Sequence, residues 1–448
     1  MRLHLLPLAL TVGAAPVGLA DPAPGTVLTL EQAVHQALEH NARLESRRDS
    51  AEADRDDAKA TRGRLLPQVS VSANYYNASS PESIDLEGLL GAAGTGASGS
   101  TSLPPLTLHG FGLGLGIVTA SQPLLGLWHL SHELASANER ADASQAELRE
   151  QRADLRQQVE GDLLSLFEAR ALEGIAKASQ AELREQRTVA QAKVEHGVAT
   201  QGDLLRVEVA IANASEQQIE AEVQEKAARA ALLTLLGLPT RSPDVDFAEP
   251  TELGQREVPT EAAQAEAVAL AHRADVASAE LQRDAAHHGF VASELKLLPE
   301  IDATAMYVRL QGLPSALPPD YFTAGFSLSW ALWDSGNAYY QSRAAGARAD
   351  AAAAAAVDAR ERVTLEVDDR LEEERAAAAA VSVAQEALRQ AEEAFRVTAV
   401  TVKAGAATTT DLLDAQSALT QARLNLVRAR YGQLRARSAL TRALGVGT

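Results

Sequence analysis

Cysteine is absent from the 448 residues, which excludes disulfides, Cys-ligated zinc, iron–sulfur clusters and thiol catalysis. Basic residues are in deficit: 41 Lys and Arg face 60 Asp and Glu, a formal net charge of −19. Nucleic acid is not expected as a partner, because neutralising phosphates needs basic patches. Aromatic residues make up only 4%, while the apolar set as a whole reaches 46%. Alanine and leucine therefore supply most of the apolar content, which favours helix over a β-rich core. Outside the N-terminus no run of about twenty apolar residues occurs, so no membrane-spanning helix is predicted. Walker loops, nucleophile elbows and triad spacings are also missing, and neither an enzyme activity nor a cofactor is expected. By length alone the chain has room for two or three globular domains.

What is present begins with an export signal over residues 1–20. Arg2 supplies a positive start, Leu3 to Leu19 is mostly apolar, and Gly18-Leu19-Ala20 forms a small-x-small cleavage site before Asp21. With no cysteine behind that site, a Cys-linked lipoprotein anchor is not expected. Export then points to the envelope of a diderm bacterium.

Proline placement divides the rest. Residues 25–66, 124–238, 260–298 and 320–448 are free of proline, and such intervals permit long helices. Their short-long-short-long order suggests an internal duplication. Leu66-Pro67 and Leu298-Pro299 close the two short blocks. Gly197-Val198-Ala199-Thr200-Gln201-Gly202-Asp203-Leu204-Leu205 in the first long block matches Gly405-Ala406-Ala407-Thr408-Thr409-Thr410-Asp411-Leu412-Leu413 in the second. Leu236-Gly237 and Leu444-Gly445 then end each half. The predicted organisation is a first repeat over 21–240, a Pro- and acid-rich connector over 241–260, and a second repeat over 261–448.

Two strands interrupt the helices of each repeat, at about 67–77, 111–122, 299–310 and 321–333, each with period-2 alternation. Their length suits a transmembrane β-strand. Tyr75, Tyr76, Phe111, Tyr307, Tyr321, Phe322, Trp330 and Trp333 lie in or beside them, the placement of an aromatic girdle in contact with outer-membrane lipid. The alternative is two soluble hairpins with aromatic cores. Residues 78–110, rich in Gly, Ser, Thr and Pro, read as a long flexible loop. Four strands cannot close a barrel, and an open edge is not tolerated in lipid. If these strands cross a membrane, several chains share one barrel.

The long blocks 126–196 and 336–404 carry heptad-like seams. Leu148, Leu155, Val159, Leu163 and Leu166 form one; Leu388, Phe395 and Val402 form another, as do Leu412, Leu419 and Leu426. Each block is long enough for a helix of about 100 Å. A helix of about half that length returns after each Gly-centred turn. The short blocks 28–64 and 262–297, each read as a short helix, have the length to cover what the returning helix leaves bare.

This layout resembles the TolC family of outer-membrane efflux proteins. Leu28-Thr29-Leu30-Glu31-Gln32-Ala33-Val34 with Ala37-Leu38-Glu39-His40-Asn41 looks like the family's first-helix signature. Trp330-Ala331-Leu332-Trp333-Asp334-Ser335-Gly336 looks like its strand-to-helix junction, and Gln122-Pro123-Leu124-Leu125-Gly126 like a looser copy. The resemblance implies a mainly α fold with transmembrane β. A duplicated coiled-coil protomer would contribute four strands to a trimeric twelve-stranded β-barrel that continues as a periplasmic α-barrel. It further implies a passive exit duct for efflux or secretion, docking at its tip a periplasmic adaptor of an inner-membrane pump. The competing reading is a soluble periplasmic coiled-coil adaptor or scaffold. An adaptor should show one coiled-coil hairpin flanked by lipoyl-like and β-barrel segments.

By the same resemblance Asp411 and Asp414 match aspartates lining the periplasmic aperture, and Asp203 the equivalent place in the first turn. In a trimer each makes a ring of three carboxylates that would favour cations. The alternative for all three is helix N-capping. Val402 and Ala407 stand where the family pattern has a Tyr and an Arg that help latch the tip, leaving Lys403 and Arg206 as candidate substitutes. Gly197 and Gly405 permit the tight turns. Val198, Thr200, Ala406 and Thr408 flank them as adaptor-docking candidates. Gly112-x-Gly114-x-Gly116 sits inside a strand and opens no helix, so it is no dinucleotide loop. His129-x-x-His132-Glu133 and His287-His288 lack further ligands beside them in sequence, and no metal site is assigned to them.

Overall fold

The computed structural model describes residues 26–77, 82–84, 106–108, 112–240, 245–251, 253, 259–311 and 320–446. The export signal and Phe111 lie outside these residues, as does most of the two loops between paired strands. In chain order the elements are β1 (Thr26–Leu28), α1 (Leu30–His40), α2 (Ala42–Gly63), β2 (Gln68–Asn77), β3 (Glu82–Ile84), β4 (Leu106–Leu108), β5 (Gly112–Pro123), α3 (Gly126–Glu195) and α4 (Gln201–Leu235). There follow β6 (Val245–Phe247), α5 (Ala262–His272), α6 (Ala274–Leu295), β7 (Glu300–Gln311), β8 (Asp320–Ser329), α7 (Asn337–Lys403) and α8 (Thr409–Ala443).

The duplication is visible in helix lengths. The short helices have 11 and 22 residues in both halves, the returning helices 35 in both, and the long helices 70 and 67. Each short block is two helices where the sequence predicts one. The break falls at Asn41 and at Arg273, whose backbones are extended at φ −76°, ψ 112° and φ −67°, ψ 125°. Neither break involves proline. The cause is the end of the returning helix, which seats against it. Gly237 (φ +69°) lies so close to His40 that an added Cβ would sit 2.9 Å from the His40 carbonyl oxygen. Gly445 (φ +68°) repeats the arrangement, with an added Cβ 2.9 Å from the carbonyl carbon of His272. Only glycine combines a left-handed backbone with so close an approach. The Asn41 amide also donates to the Leu235 carbonyl at 3.4 Å, capping the end of α4.

Two compact units form, each from three stretches of sequence. One gathers the chain up to Asn41 with Leu155–Arg256 and Ala377–Ser438. In it β1 pairs in parallel with β6, Thr26 opposite Val245, a contact too short to leave a periodic signal. Val207, Ala214 and Ala221 bury one face of α4 at seven-residue spacing. Leu172, Ala221 and Leu424 pack as one cluster, where the alanine lets the helices approach closely. Among the fully buried side chains are Leu163, Leu166, Leu232 and Leu236, each contributing about 1.5–3 kcal/mol of apolar burial. Of the seam residues in α7, Leu388, Phe395 and Val402 are only half-buried, whereas Leu419 and Leu426 of α8 are buried.

The second unit gathers Ala42–Asp154, Glu257–Ala376 and Ala439–Thr448. Its helical core is Ala265, Ala269, Val276, Val363, Val367, Leu371, Leu440, Ala443 and Leu444. Its sheet has the order β2-β5-β7-β8, antiparallel throughout. The central β5–β7 pairing, with Ile117 opposite Val308, joins the two repeats. β8 stops at Ser329, four residues short of the expected end. There Leu332 N–H turns back onto the Trp330 carbonyl, and Asp334 accepts from the N–H groups of Gly336 and Ala338 to start α7. Within the segment expected to be a flexible loop, β3 and β4 pair antiparallel. No helix among the described residues is long and apolar enough to cross a membrane.

Candidate membrane sheet and helical tips

Strand pairing sorts the sheet residues into two faces, because directly opposed residues share a side. Val71 opposes Val118, Val118 opposes Tyr307, and Tyr307 opposes Phe322. Following the alternation, this face also carries Val69, Ala73 and Tyr75 of β2, Ile301, Ala303 and Ala305 of β7, and Ala324, Phe326 and Leu328 of β8. Val69, Val71, Tyr75, Phe322, Phe326 and Leu328 are all more than 65% exposed. The opposite face is hydroxyl-rich near the helices: Ser70, Ser72, Thr119, Ser121, Thr304, Thr323, Ser327 and Ser329. Towards the loops it becomes apolar, with Leu115, Ile117, Met306, Val308 and Leu310 buried and Tyr321 packed on them. An exposed apolar face backed by a polar one is the pattern of a lipid-facing barrel wall.

The aromatic candidates occupy two levels of this wall. Tyr75, Tyr307, Tyr321 and Phe322 lie near the loop end, where the Tyr307 hydroxyl donates to Asp320 at 3.0 Å. Tyr76 belongs to β2 as well. Trp330 and Trp333 lie past the end of β8, at the helix end, with Trp128, Tyr339 and Tyr340 on the adjoining helix starts. The Trp330 indole donates to the Leu297 carbonyl at 3.2 Å while its ring stays exposed, anchoring an amphipathic ring as interfacial tryptophans do. Of the four-stranded sheet, β2 and β8 each have one edge without a strand partner among the described residues.

The tips are two copies of one turn. Gly197 (φ +74°) and Gly405 (φ +76°) take left-handed backbones. Behind them Val198 N–H bonds the Lys193 carbonyl at 2.8 Å and Ala406 N–H bonds the Thr401 carbonyl at 2.9 Å, closing each long helix. Thr200 and Asp203 then cap α4 reciprocally: Asp203 N–H donates to the Thr200 hydroxyl at 3.3 Å, and Thr200 N–H to the Asp203 carboxylate at 3.0 Å. Thr408 and Asp411 repeat this at 3.2 and 2.8 Å. The Thr200 hydroxyl and N–H hold the Asp203 carboxyl below the usual range, and the Thr408 N–H and hydroxyl do so for Asp411. The capping alternative thus has its geometry at both residues. Asp414, one turn further along α8, is exposed. Val198, Thr200, Gly405, Ala406 and Thr408 are exposed at the tips. Arg206 of α4 reaches the Thr410 hydroxyl of α8 at 2.5 Å; Lys403 is exposed at the end of α7.

Two features escaped the sequence reading. The first is an ionic network at the α5–α6 break. Arg273, with its side chain 4% exposed, binds Asp275 in two places at 2.6 and 2.9 Å and Glu366 at 2.7 Å. Arg442 binds Asp154 at 2.6 Å, Glu150 at 2.5 Å and Glu366 at 3.1 Å. Burial pushes the Glu150 carboxyl up against the pull of Arg442, whereas at Asp275 Arg273 outweighs burial and holds it down. These residues come from four separate stretches, so no local spacing announces them. The second feature is a pair of exposed apolar seams. Leu205, Val209, Ala212, Ile219 and Val223 run along α4 at heptad spacing, on a different face from its buried residues. Val383, Ala387, Ala394 and Val397 do the same along α7.

Comparison with known proteins follows the two repeats. A family model described as outer membrane efflux protein matches residues 33–238 and 267–446. No curated protein matches the sequence significantly. Among solved structures, the outer membrane protein VceC from Vibrio cholerae superposes with a TM-score of 0.80 at 18% identity, over 93% of this chain and 96% of that one. The outer-membrane channel OprN gives 0.77 at 19% identity over 93% and 90%. The Campylobacter jejuni CmeC outer membrane channel gives 0.79 at 15% identity over 93% and 85%. With the model matched across both repeats, the chain belongs to the outer membrane efflux protein family, non-enzymatic channels of the outer membrane that extend into the periplasm.

Proposed function

We propose that three copies of this chain close one twelve-stranded barrel and act as a passive exit duct for a periplasmic adaptor and an inner-membrane pump. The observation that carries this reading is the sheet: an apolar face whose outer-strand residues Val69, Val71, Tyr75, Phe322, Phe326 and Leu328 are exposed, and an edge on both β2 and β8 without a strand partner among the described residues. Exposed edges are not stable in lipid, so further strands must complete the ladder. Two copies would give eight strands, a barrel that side chains fill. Three copies give the smallest multiple of four that leaves a lumen. The exposed seams of α4 and α7 supply the matching helical contacts, each the a/d face of an unmade coiled coil.

In this reading Gly197, Val198, Thr200, Gly405, Ala406 and Thr408 meet the adaptor, and Asp411, Asp414 and Asp203 line the aperture. Arg206 takes the place of the missing latch residues by tying the two tips of one protomer together. The pump supplies the energy, and the channel itself performs no chemistry.

Because the chain lacks cysteine, introduced thiols report without background. Val71→Cys on β2 and Ala324→Cys on β8, treated in membranes with a short bis-maleimide, should give a covalent ladder that ends at three chains. A ladder ending at two, or running past three, would reject the trimer. Recovery of the protein from the soluble periplasm without detergent would reject the channel in favour of a soluble adaptor.

A further inference from the structure

The two histidine motifs, 156 residues apart in sequence, meet in space. His132 on α3 and His288 on α6 bring their Nδ1 atoms to 3.1 Å, with ring centroids 5.3 Å apart and planes tilted by 35°. Small residues set up the meeting. The Ser136 hydroxyl donates to the Ala285 carbonyl at 2.7 Å, and an added Cβ at Gly289 would be in ordinary van der Waals contact with that hydroxyl at 3.7 Å. The helices therefore cross closely at this level, and both rings are half-buried there. Glu133, the nearest carboxylate in the first motif, is already engaged by Lys296 at 2.5 Å and Arg64 at 2.8 Å.

We propose that His132 and His288 form a two-nitrogen site for a borderline divalent transition-metal ion of the zinc, nickel or copper class. Imidazole is the ligand that this class favours. Metal–nitrogen bonds of about 2.0–2.1 Å place two ligating nitrogens about 2.9 Å apart in a cis square-planar shell and about 3.4 Å apart in a tetrahedral one. The observed separation lies between these limits. In the metal-free pair one ring donates its Nδ1 proton to the other. Moving that proton to its own Nε2 leaves both Nδ1 lone pairs facing the ion, with no net change in protons on the rings. Among the described residues no group of three or more His, Asp or Glu is placed to hold a metal, so water completes the shell. The ion would clasp α3 to α6. His287, exposed and 6.2 Å from His288 between ring centroids, is not a ligand.

The test uses full-length protein purified in detergent. Titration with Zn2+ should show one ion per chain, and His132→Gln or His288→Gln should each weaken it at least tenfold, while His287→Gln leaves it unchanged. With one equivalent of Cu2+, electron spin-echo modulation should count two imidazoles in the wild type and one in either single variant. Circular dichroism confirms that each variant is folded. Absence of stoichiometric Zn2+ binding to the wild type would overturn the site. So would an unchanged affinity, or an unchanged imidazole count, in both variants.

Discussion

The Arg206 guanidinium donates to the Thr410 hydroxyl at 2.5 Å, joining the second turn of α4 to the first turn of α8. It is a link between the two repeats at the level of their tips, made by a residue pair that has no counterpart in local sequence. If it holds the tip closed, Arg206→Ala and Thr410→Val should each raise single-channel conductance in planar bilayers. The double variant should add little to either single one, because both remove the same contact. Conductance unchanged in all three would separate the contact from gating.

Asp411 and Asp414 give a second electrical prediction. If they line the aperture of the proposed trimer, replacing both with Asn removes six carboxylates from it, and block of the current by divalent cations should weaken markedly. Asp411→Asn alone also disturbs the cap with Thr408, so Asp414→Asn is the cleaner variant. Persistent block in both would move the cation site away from the tip.

The face assignment of the sheet predicts an asymmetry between neighbours. Phe326 is 79% exposed on the apolar face, and Ser327 points to the other side. Phe326→Arg should cost about 2–4 kcal/mol of stability in the bilayer if the residue lies near mid-membrane, while Ser327→Arg should be tolerated. Urea titration of the protein folded into vesicles measures both. Equal costs would mean that the two faces have been exchanged.

Much of this was legible in the chain, for identifiable reasons. Proline excludes itself from helix interiors, so the proline-free intervals marked where α3 and α7 lie. Strict alternation marked β2, β5 and β7, because a sheet with one face in lipid must alternate. The alternation of β8 ran on through Trp330 and Leu332, and only the Asp334 cap shows where the strand yields to the helix. The breaks at Asn41 and Arg273 left no signal, since their cause is the approach of Gly237 and Gly445 from about 170–200 residues away. The meeting of His132 with His288 was hidden for the same reason: each motif contributes one ring to the pair, and only the fold brings the other.

Acid should act on the tip aspartates and on Glu150 of the ionic network in opposite senses. Asp203 and Asp411 have lowered native values from their threonine hydrogen bonds. Their contribution is present above the unfolded value of about pH 4 and is lost as pH falls through the native one. Glu150 is raised by burial, so between an unfolded value of about 4.3 and its native one, stability falls as pH rises. Glu150→Gln should therefore flatten the thermal-stability profile on the neutral side of pH 4 and leave the acid limb intact. An unchanged profile would mean that Glu150 titrates normally.

Arg273 is nearly buried among carboxylates, so its loss strands charge. Arg273→Met should cost about 3–5 kcal/mol. Arg273→Lys should rescue little, because a single ammonium cannot span both Asp275 oxygens and Glu366. Denaturant midpoints with an unchanged m-value would measure this. Near-complete rescue by lysine would show that charge alone, without the fork, holds the break.

The glycines that end each helix can be ranked by what surrounds them. Gly405 and Gly445 share nearly the same backbone, φ +76° and +68°. Alanine at either carries the left-handed penalty of about 1–2 kcal/mol. At Gly405 that is all, since nothing lies within 4 Å of an added Cβ. At Gly445 the methyl would meet the carbonyl carbon of His272 at 2.9 Å and the nitrogen of Arg273 at 3.0 Å. Backbone cannot swing aside as a side chain can, so overpacking should raise the total to about 2–4 kcal/mol. Gly237→Ala, facing His40 in the first repeat, should behave like Gly445→Ala. Thermal melts of the three alanine variants would decide it, with Gly405→Ala the mildest. Equal losses at Gly405 and Gly445 would mean that φ alone makes glycine necessary, and that α8 does not seat on the α5–α6 break in solution.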